Sequence, residues 1–177
     1  MGGNDQLQDS AVLVPVFRRD DRVMLLIVRR TDFGVHGGQL AFPGGKPHDG
    51  DATMLDTALR EAREEVGIEE SSVEVLAELP VIDTHSTGYR IFPFLGVIQP
   101  ASPPWWFDTR EIAEVIEVAA EDLARPEAYG ESMETFPKFP DPIRVCYYKV
   151  GPHRLWGASY RIVTPLLPRL IAGEWRV

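Results

Sequence analysis

Short apolar runs separated by polar turns fill the first third of the chain and are typical of β-strands. Residues 11–17 and 23–29 are two such runs, and the charged stretch 18–22 between them predicts a β-hairpin. Residues 32–38 predict a loop, and residues 40–42 predict a short strand that enters a glycine turn. Further strands are predicted by the apolar runs at residues 73–79, 91–98, 112–118 and 144–150.

Helical periodicity begins after this glycine turn. Asp51 is expected to cap the start of the helix, and Gly67 is expected to end it. Four apolar residues recur at steps of four, three and four and therefore share one helix face: Leu55, Leu59, Ala62 and Val66.

The second half of the chain is less regular. Residues 121–123 predict a short helix or a turn, and residues 125–142, rich in proline, glycine and glutamate, predict a long loop. Residues 158–171 have helical spacing, but an interior proline costs about 3 kcal/mol, so this helix is expected to break and start again near Pro165. Together the elements predict one α/β domain at residues 10–177, after a flexible tail at residues 1–9.

The polar face of the first helix carries Glu61, Glu64 and Glu65. Like charges at this spacing oppose helix formation by a few tenths of a kcal/mol, and such clusters are most often solvated surface. Beside a glycine turn and Arg60, the cluster instead indicates a site for Mg²⁺ or Mn²⁺, which prefer carboxylate oxygens. Arg60 can pair with Glu64 one helical turn away, which leaves Glu61 and Glu65 as the main side-chain ligands.

The segment from Gly45 to Ile68 resembles the Nudix box, whose pattern is G-x5-E-x7-R-E-U-x-E-E-x-G-U, with U an aliphatic residue. Residues 60–68, REAREEVGI, match its second half. Asp51 stands where the pattern has glutamate, and eight residues rather than seven separate it from Arg60. The coenzyme A pyrophosphatases within the superfamily share this departure. Residues 36–45, HGGQLAFPGG, resemble the signature before their box, and a weaker resemblance extends from about residue 12 to residue 171.

This resemblance implies a Nudix fold, an α/β/α sandwich around a mixed sheet. It implies hydrolysis, by water, of a nucleoside diphosphate linked to another group, with Mg²⁺ or Mn²⁺ held by Glu61, Glu65, Glu64 and the Gly44 carbonyl. Coenzyme A or its thioesters would yield 3′,5′-ADP and 4′-phosphopantetheine. Alternative substrates are ADP-ribose, dinucleoside polyphosphates and oxidised nucleoside triphosphates. Two other classes stay open, an isopentenyl diphosphate isomerase and a non-catalytic nucleotide sensor.

The general base is expected outside the main ligand set. Glu64 is one candidate, and Glu111 is another, because it lies at a loop-to-strand junction in a segment resembling one that supplies a distal acid in relatives. With Arg60 they form the predicted catalytic set. Glu114 lies within the next strand, where its face depends on the register. A solvated strand edge is the alternative for both acids; further candidates are Glu127, Glu131 and Glu134.

Several residues are candidates for contact with the substrate. Guanidinium forks match phosphate geometry, and the basic candidates are Arg29, Arg30, Lys46 and Arg90. His36 precedes two glycines, and both roles, contact with the substrate and packing within the turn, stay open for it. Tyr89, Trp105 and Trp106 are able to stack on an adenine, but an apolar lid, a dimer contact or core packing is favoured; Trp156 is expected in the core.

Composition narrows the class of partner. The chain of 177 residues has 18 Lys+Arg and 27 Asp+Glu, a net charge of −9. This balance argues against nucleic-acid binding, which needs a basic face, and leaves a small nucleotide-type substrate. The single cysteine, Cys146, is compatible with a reducing cytosol. The isomerase needs a catalytic cysteine near its site, and Cys146 is distant from the box in sequence, which argues against that class. The sequence has no signal-peptide pattern and no apolar run long enough to span a bilayer, so we expect a cytoplasmic protein that does not associate with a membrane. Whether the protein forms a homodimer is left open.

Overall fold

Two long strands form the centre of the structure, a computed structural model that describes residues 7–33, 37–84, 86–99 and 104–177. Strand β1, Gln8–Arg19, and strand β2, Arg22–Arg30, pair antiparallel, which confirms the predicted hairpin. Asp20 and Asp21 join them with φ of 47° and 60°, the left-handed conformation that a two-residue hairpin turn requires. Because β1 starts at Gln8, residues 8 and 9 belong to a strand and not to the predicted tail.

Six further strands join this hairpin in one mixed sheet within the described ranges: β3 Leu40–Ala41, β4 Gly44–Gly45, β5 Val73–Glu78, β6 Ile82–Thr84, β7 Tyr89–Ile98 and β8 Ile112–Ala119. The order is β3-β2-β1-β7-β5, while β4 pairs with β1, β6 with β7 and β8 with β2. Only β1 and β7 pair in parallel among these described strands. Strand β6 lies between the predicted strands at residues 73–79 and 91–98, and it forms because it pairs with β7.

Both faces of the sheet are covered, because β1 and β2 send alternate apolar side chains to opposite sides. Helix α1, Met54–Val66, packs on one face against a core that includes Leu13 and Leu26. Helix α3, Gly157–Ile171, and the short helix α2, Ala120–Leu123, pack on the other face with Val16 and Leu25. The predicted α/β/α arrangement around a mixed sheet is confirmed.

A second, three-stranded sheet lies on the α3 side. It consists of β9 Tyr129–Glu134, β10 Ile143–Val150 and β11 His153–Trp156, in the order β11-β10-β9 within the described chain. The prediction of one long loop at residues 125–142 is therefore wrong. A 3₁₀ turn, Pro126–Ala128, and strand β9 occupy its first half, and β9 is held by antiparallel pairing with β10.

Helix α3 is continuous through Pro165 and Pro168, so the predicted break at Pro165 is wrong. Both prolines lie on the exposed face. Burying an aliphatic side chain stabilises by about 1.5–3 kcal/mol, and five such contributions outweigh two proline penalties of about 3 kcal/mol each. The five side chains, each at most 5% exposed, are Ile162, Val163, Leu166, Leu167 and Leu170.

Helix α1 begins and ends at clear capping residues. Thr53 is the N-cap and forms a capping box with Asp56, so the prediction that Asp51 caps the helix is wrong. Gly67 ends the helix with φ of 66°, which confirms its predicted role. In the described ranges, no helix is long and apolar enough to cross a membrane.

Candidate active site

Strand β4 holds the glycine turn against both β1 and α1. Gly44 and Gly45 pair with Val12 and Ala11 of β1. A Cβ atom at Gly45 would overlap the carboxylate of Glu61, and one at Gly44 would overlap the backbone of β1. Glycine is therefore required at Gly44, where the obstacle is backbone, whereas a side chain at Gly45 would displace the Glu61 carboxylate from its place beside the turn.

Glu65 is the buried carboxylate of the site, with 3% exposure. Gly44 N donates to Glu65 Oε2 at 3.1 Å, and Arg30 Nη1 donates to Oε1 at 3.3 Å. Burial raises the pKa of Glu65 to about 7; the charges of Glu61 and Glu111 also raise it, and those two contacts only partly oppose the shift. Burial likewise raises the pKa of Glu61. Two neighbouring carboxylates that resist ionisation indicate a place for a cation.

Arg60 connects the acids of the helix with the loop before it. Its Nη1 donates to Glu61 Oε1 at 3.0 Å and to Glu64 Oε2 at 3.3 Å. Its Nε and Nη2 hold the two oxygens of Asp51, each at 3.0 Å, and Nη2 also donates to the Lys46 carbonyl at 2.9 Å. These contacts show that Arg60 holds Asp51, Glu61 and Glu64 in place, and its predicted catalytic role stays a prediction.

Asp51 is a site residue whose role the sequence reasoning missed. Its Oδ2 also accepts hydrogen bonds from His48 N and Thr57 Oγ1, both at 2.9 Å. The Arg60 guanidinium and these donors hold the pKa of Asp51 well below its usual range. The available signal was the box pattern itself, because an acid near this position and the box arginine are both part of it.

The donor set suits a hard divalent cation. Glu61, Glu64 and Glu65 share one end of the fold with the glycine turn, and Mg²⁺ and Mn²⁺ take carboxylate and carbonyl oxygens. Burial, with a smaller contribution from neighbouring carboxylates, raises the pKa values of Glu61 and Glu65, and a bound cation would stabilise their ionised forms. Across the described ranges, no three acidic, histidine or cysteine side chains already converge as a metal cluster. Holding one ion would therefore require rotation of these side chains or additional oxygen ligands.

Glu111 lies in a turn that the structure attaches directly to α1. Asp108 N donates to the Glu65 carbonyl at 2.9 Å, and Glu111 N donates to the Asp108 carbonyl at 3.1 Å. Arg30 links the side chains as well, because its Nη2 lies 3.5 Å from Glu111 Oε2 while Nη1 contacts Glu65. Glu111 and Glu65 are thus brought together. The sequence reasoning also missed Asp108, whose pKa is lowered to about 2 by Arg110 two residues later.

Of the other predicted base candidates, Glu64 lies on α1 at the site, whereas Glu131 and Glu134 lie on the second sheet. Glu64 is about half exposed, at 51%, and paired with Arg60. Glu131 and Glu134 lie on β9 of the second sheet, where Arg154 Nη1 is 2.9 Å from Glu134 Oε1.

Among the predicted substrate residues, Lys46 and Arg90 lie near one end of the sheet, whereas Arg29 and Arg30 are neighbours on β2. Lys46 lies beside the glycine turn, with Nζ 5.5 Å from the centre of the Tyr89 ring, and the neighbouring Arg90 is paired with Asp83 at 3.0 Å. Arg29 points away from Arg30, as adjacent strand residues do, and contacts Asp32 at 3.2 Å. His36 lies outside the described residues.

The tryptophans have separate environments. Trp105 packs against Phe17, with ring centres 5.7 Å apart, and its Nε1 donates to Glu117 Oε1 at 2.6 Å. Trp106 is 61% exposed. Trp156, expected in the core, is half-buried and stacks on Phe136 at 5.9 Å between ring centres.

Comparison with known proteins places these features in a family. A NUDIX domain model matches residues 7–139. The uncharacterized Nudix hydrolase NudL of Cronobacter sakazakii is 41% identical over 118 residues, 67% of this chain and 60% of the relative. NudL of Salmonella paratyphi B is 35% identical over 153 residues, 86% of this chain and 72% of the relative. The chain thus spans less than two thirds of the Cronobacter relative.

The MutT protein from Methanosarcina mazei Go1 has a similar fold, with a TM-score of 0.56 at 17% identity over 94% of this chain and 97% of that one. The sequence match covers most of the strands and the whole of α1, where the acidic cluster lies. The chain therefore belongs to the Nudix hydrolase family, whose members are generally metal-dependent diphosphatases of nucleotide-linked substrates.

Proposed function

We propose that this protein cleaves the diphosphate bond of coenzyme A or its thioesters, releasing 3′,5′-ADP and 4′-phosphopantetheine. The observation that carries the proposal is the fork between Asp51 and Arg60. It gives a structural role to the departure from the general box that the chain shares with coenzyme A pyrophosphatases. The signature that precedes their box supports the proposal too, because its described part leads directly into the Gly44–Gly45 turn.

Glu61, Glu65 and the Gly44 carbonyl would hold Mg²⁺ or Mn²⁺, with Glu64 as a further ligand. When bound, such an ion supplies neutralisation of the diphosphate charge, a lowered pKa for the attacking water and stabilisation of the leaving oxygen. The burial of Glu65 beneath the glycine turn keeps one ligand fixed, and Arg60 fixes the direction of Glu61 and Glu64.

Glu111 acts as the general base in this proposal and takes a proton from the attacking water. Its side chain is 55% exposed, so water reaches it, and Arg30 holds it on the Glu65 side of the turn. Lys46 and Arg90 lie near the same end of the sheet and offer positive charge to substrate phosphates.

A substrate panel tests the proposal. Coenzyme A, acetyl-coenzyme A, ADP-ribose, a dinucleoside polyphosphate and oxidised dGTP would each be incubated with Mg²⁺ or Mn²⁺ in ¹⁸O-water, with products identified by mass. We expect the highest kcat/KM for coenzyme A or its thioester and one ¹⁸O atom in one product. Preference for ADP-ribose or a nucleoside triphosphate would overturn the substrate and leave the family intact.

Two other outcomes would overturn hydrolysis itself. Tight binding of a nucleotide that stays intact would indicate a sensor. With isopentenyl diphosphate added to the panel, its isomerisation without incorporation of ¹⁸O would indicate an isomerase. Dephospho-coenzyme A is the matched control for recognition of the 3′-phosphate, because it differs from coenzyme A only in that group.

A further inference from the structure

Strand β8 contains an irregularity next to Glu111. Arg29 of β2 pairs with Glu114, whereas Arg30 pairs with Ile112, so Ala113 is an extra residue on β8. Such β-bulges change the direction of neighbouring side chains and are frequent beside active sites. The bulge therefore sets the direction in which the chain leaves the sheet towards Glu111.

Glu114, on the far side of this bulge, meets basic side chains from two different elements. Arg29 Nε of β2 lies 3.6 Å from Glu114 Oε2. His153 Nε2 of β11 lies 3.5 Å from the same oxygen. Because β11 belongs to the second sheet, Glu114 joins that sheet to the main sheet beside the bulge.

The cluster stops just short of hydrogen bonding. Both distances exceed those of ordinary nitrogen-to-oxygen hydrogen bonds, and Arg29 Nε is buried without a hydrogen-bond partner. An unsatisfied buried donor is unfavourable, and a movement of about 0.5 Å would bring it within bonding distance. A hydrogen bond from Arg29 Nε to Glu114 Oε2 is therefore favourable, and it would hold the bulge of β8 against β2.

We propose that Glu114 is a positioning residue that fixes the bulge through Arg29 and His153 and thereby aims Glu111 towards Glu65. The inference rests on the proposed function, in which Glu111 is the base. The hydrogen bond from Asp108 N to the Glu65 carbonyl holds the same turn from the α1 side. Glu111 is thus held from both faces of the sheet, and Glu114 supplies the attachment on the α3 side.

The Glu114→Gln variant tests this role by amide hydrogen exchange and by kinetics. It keeps the size of a side chain that is 50% exposed, so the fold is expected to survive. We expect amides at residues 110–114 to exchange roughly tenfold faster and kcat to fall roughly tenfold with little change in KM. His153→Gln is expected to have the same effects at smaller amplitude.

A double-mutant cycle separates positioning from general destabilisation. If Glu114 acts through Glu111, adding Glu114→Gln to Glu111→Gln lowers kcat no further, whereas independent effects would multiply. The matched control is Asp122→Asn, which removes a 2.7 Å contact with Arg22 at the opposite end of β2. It is expected to leave exchange at residues 110–114 and kcat unchanged.

The outcomes distinguish the inference from the proposed function. Unchanged exchange in Glu114→Gln, unchanged kcat despite faster exchange, or multiplicative losses in the cycle would each overturn the positioning role. Absence of turnover by the wild-type protein on every substrate would overturn the proposed function, and the exchange measurement would then decide by itself whether Glu114 holds the turn.

Discussion

At the scale of single residues, the site depends on acids whose charge the protein controls in opposite directions. Asp51 is ionised easily because Arg60 and neighbouring donors surround it, whereas Glu65 resists ionisation because it is buried. The sequence predicted the acids of α1 because their spacing is local. It did not predict the contacts of Arg30 with Glu65 and Glu111, since these depend on how β2, β8 and α1 pack.

Asp51→Asn is expected to destabilise the protein at neutral pH. The pKa of Asp51 is lower in the folded chain than its unfolded value of 3.8, so its stabilising contribution is complete above that value and is lost as the pH falls below it. We expect the variant to unfold roughly 2–4 °C lower at pH 7, with the difference shrinking towards pH 2. Thermal unfolding measured by circular dichroism at several pH values checks this; an equal difference at pH 7 and pH 2 would contradict it.

Glu65→Gln is expected to change the metal-free protein in the opposite sense. The folded pKa of Glu65, about 7, lies above the unfolded 4.5, so the contribution of Glu65 to stability is greatest below pH 4.5 and is lost as the pH rises through 7. With metal chelated, the variant should be more stable than wild type at pH 8 and nearly equal at pH 4.5. Mg²⁺ or Mn²⁺ should stabilise wild type more than the variant, whose turnover should fall by orders of magnitude. Near wild-type turnover in the folded variant would refute the metal assignment.

Glu111→Gln is expected to lower kcat by about 10²–10⁴-fold with a smaller change in KM, because a base acts in the transition state. The acidic limb of the pH–rate profile should disappear or move. Steady-state kinetics from pH 5 to 9 checks both effects. If kcat and the acidic limb were both unchanged, Glu64 would become the favoured base.

At the scale of elements, the sequence predicts correctly those elements whose stabilising contacts are local, and it misses elements that depend on pairing with distant segments. Helix α1 has its capping box, apolar stripe and terminal glycine within one short segment. Strand β9 has no inward apolar pattern, because its half-buried positions are Gly130, Ser132 and Glu134. Its stability comes from pairing with β10 and from the contact of Glu134 with Arg154, and neither can be read from a local window.

The same distinction predicts the effect of a substitution in α3. Pro165 lies on the exposed face, while the buried face carries the packing energy. Pro165→Ala should raise the free energy of unfolding by about 1–3 kcal/mol, because a strong helix former replaces an interior proline without loss of a core contact. Leu166→Ala should lower it by about 2–5 kcal/mol. Urea denaturation checks both signs, and a destabilised Pro165→Ala protein would show that the proline is required.

At the scale of the whole molecule, the family match ends before the core does. The match covers residues 7–139, yet Tyr148, Val150, Leu155 and the buried face of α3 pack in the same core as β1 and β2. Val177 also packs against this core, and its carbonyl accepts a hydrogen bond from Arg18 Nε at 3.1 Å. The segment after the matched region therefore completes one face of the central sheet.

A chain shortened to residues 1–139 is expected to lose its cooperative fold, because the α3 side of the sheet would be exposed to water. Circular dichroism and the dispersion of amide resonances would detect the loss. A chain that lacks only residues 172–177 is the control, and it should fold with reduced stability. A well-dispersed spectrum for the shorter chain would show that the α1 side alone is sufficient.

The Asp51–Arg60 fork also has a consequence for how relatives of this chain are recognised. An acid shorter by one methylene and a connection longer by one residue together deliver a carboxylate to the same arginine. We expect the two differences to offset each other, so that residue type and spacing vary as a linked pair through evolution. A search pattern that allows the shorter acid but keeps the spacing fixed, or the reverse, would pass over chains built in this way.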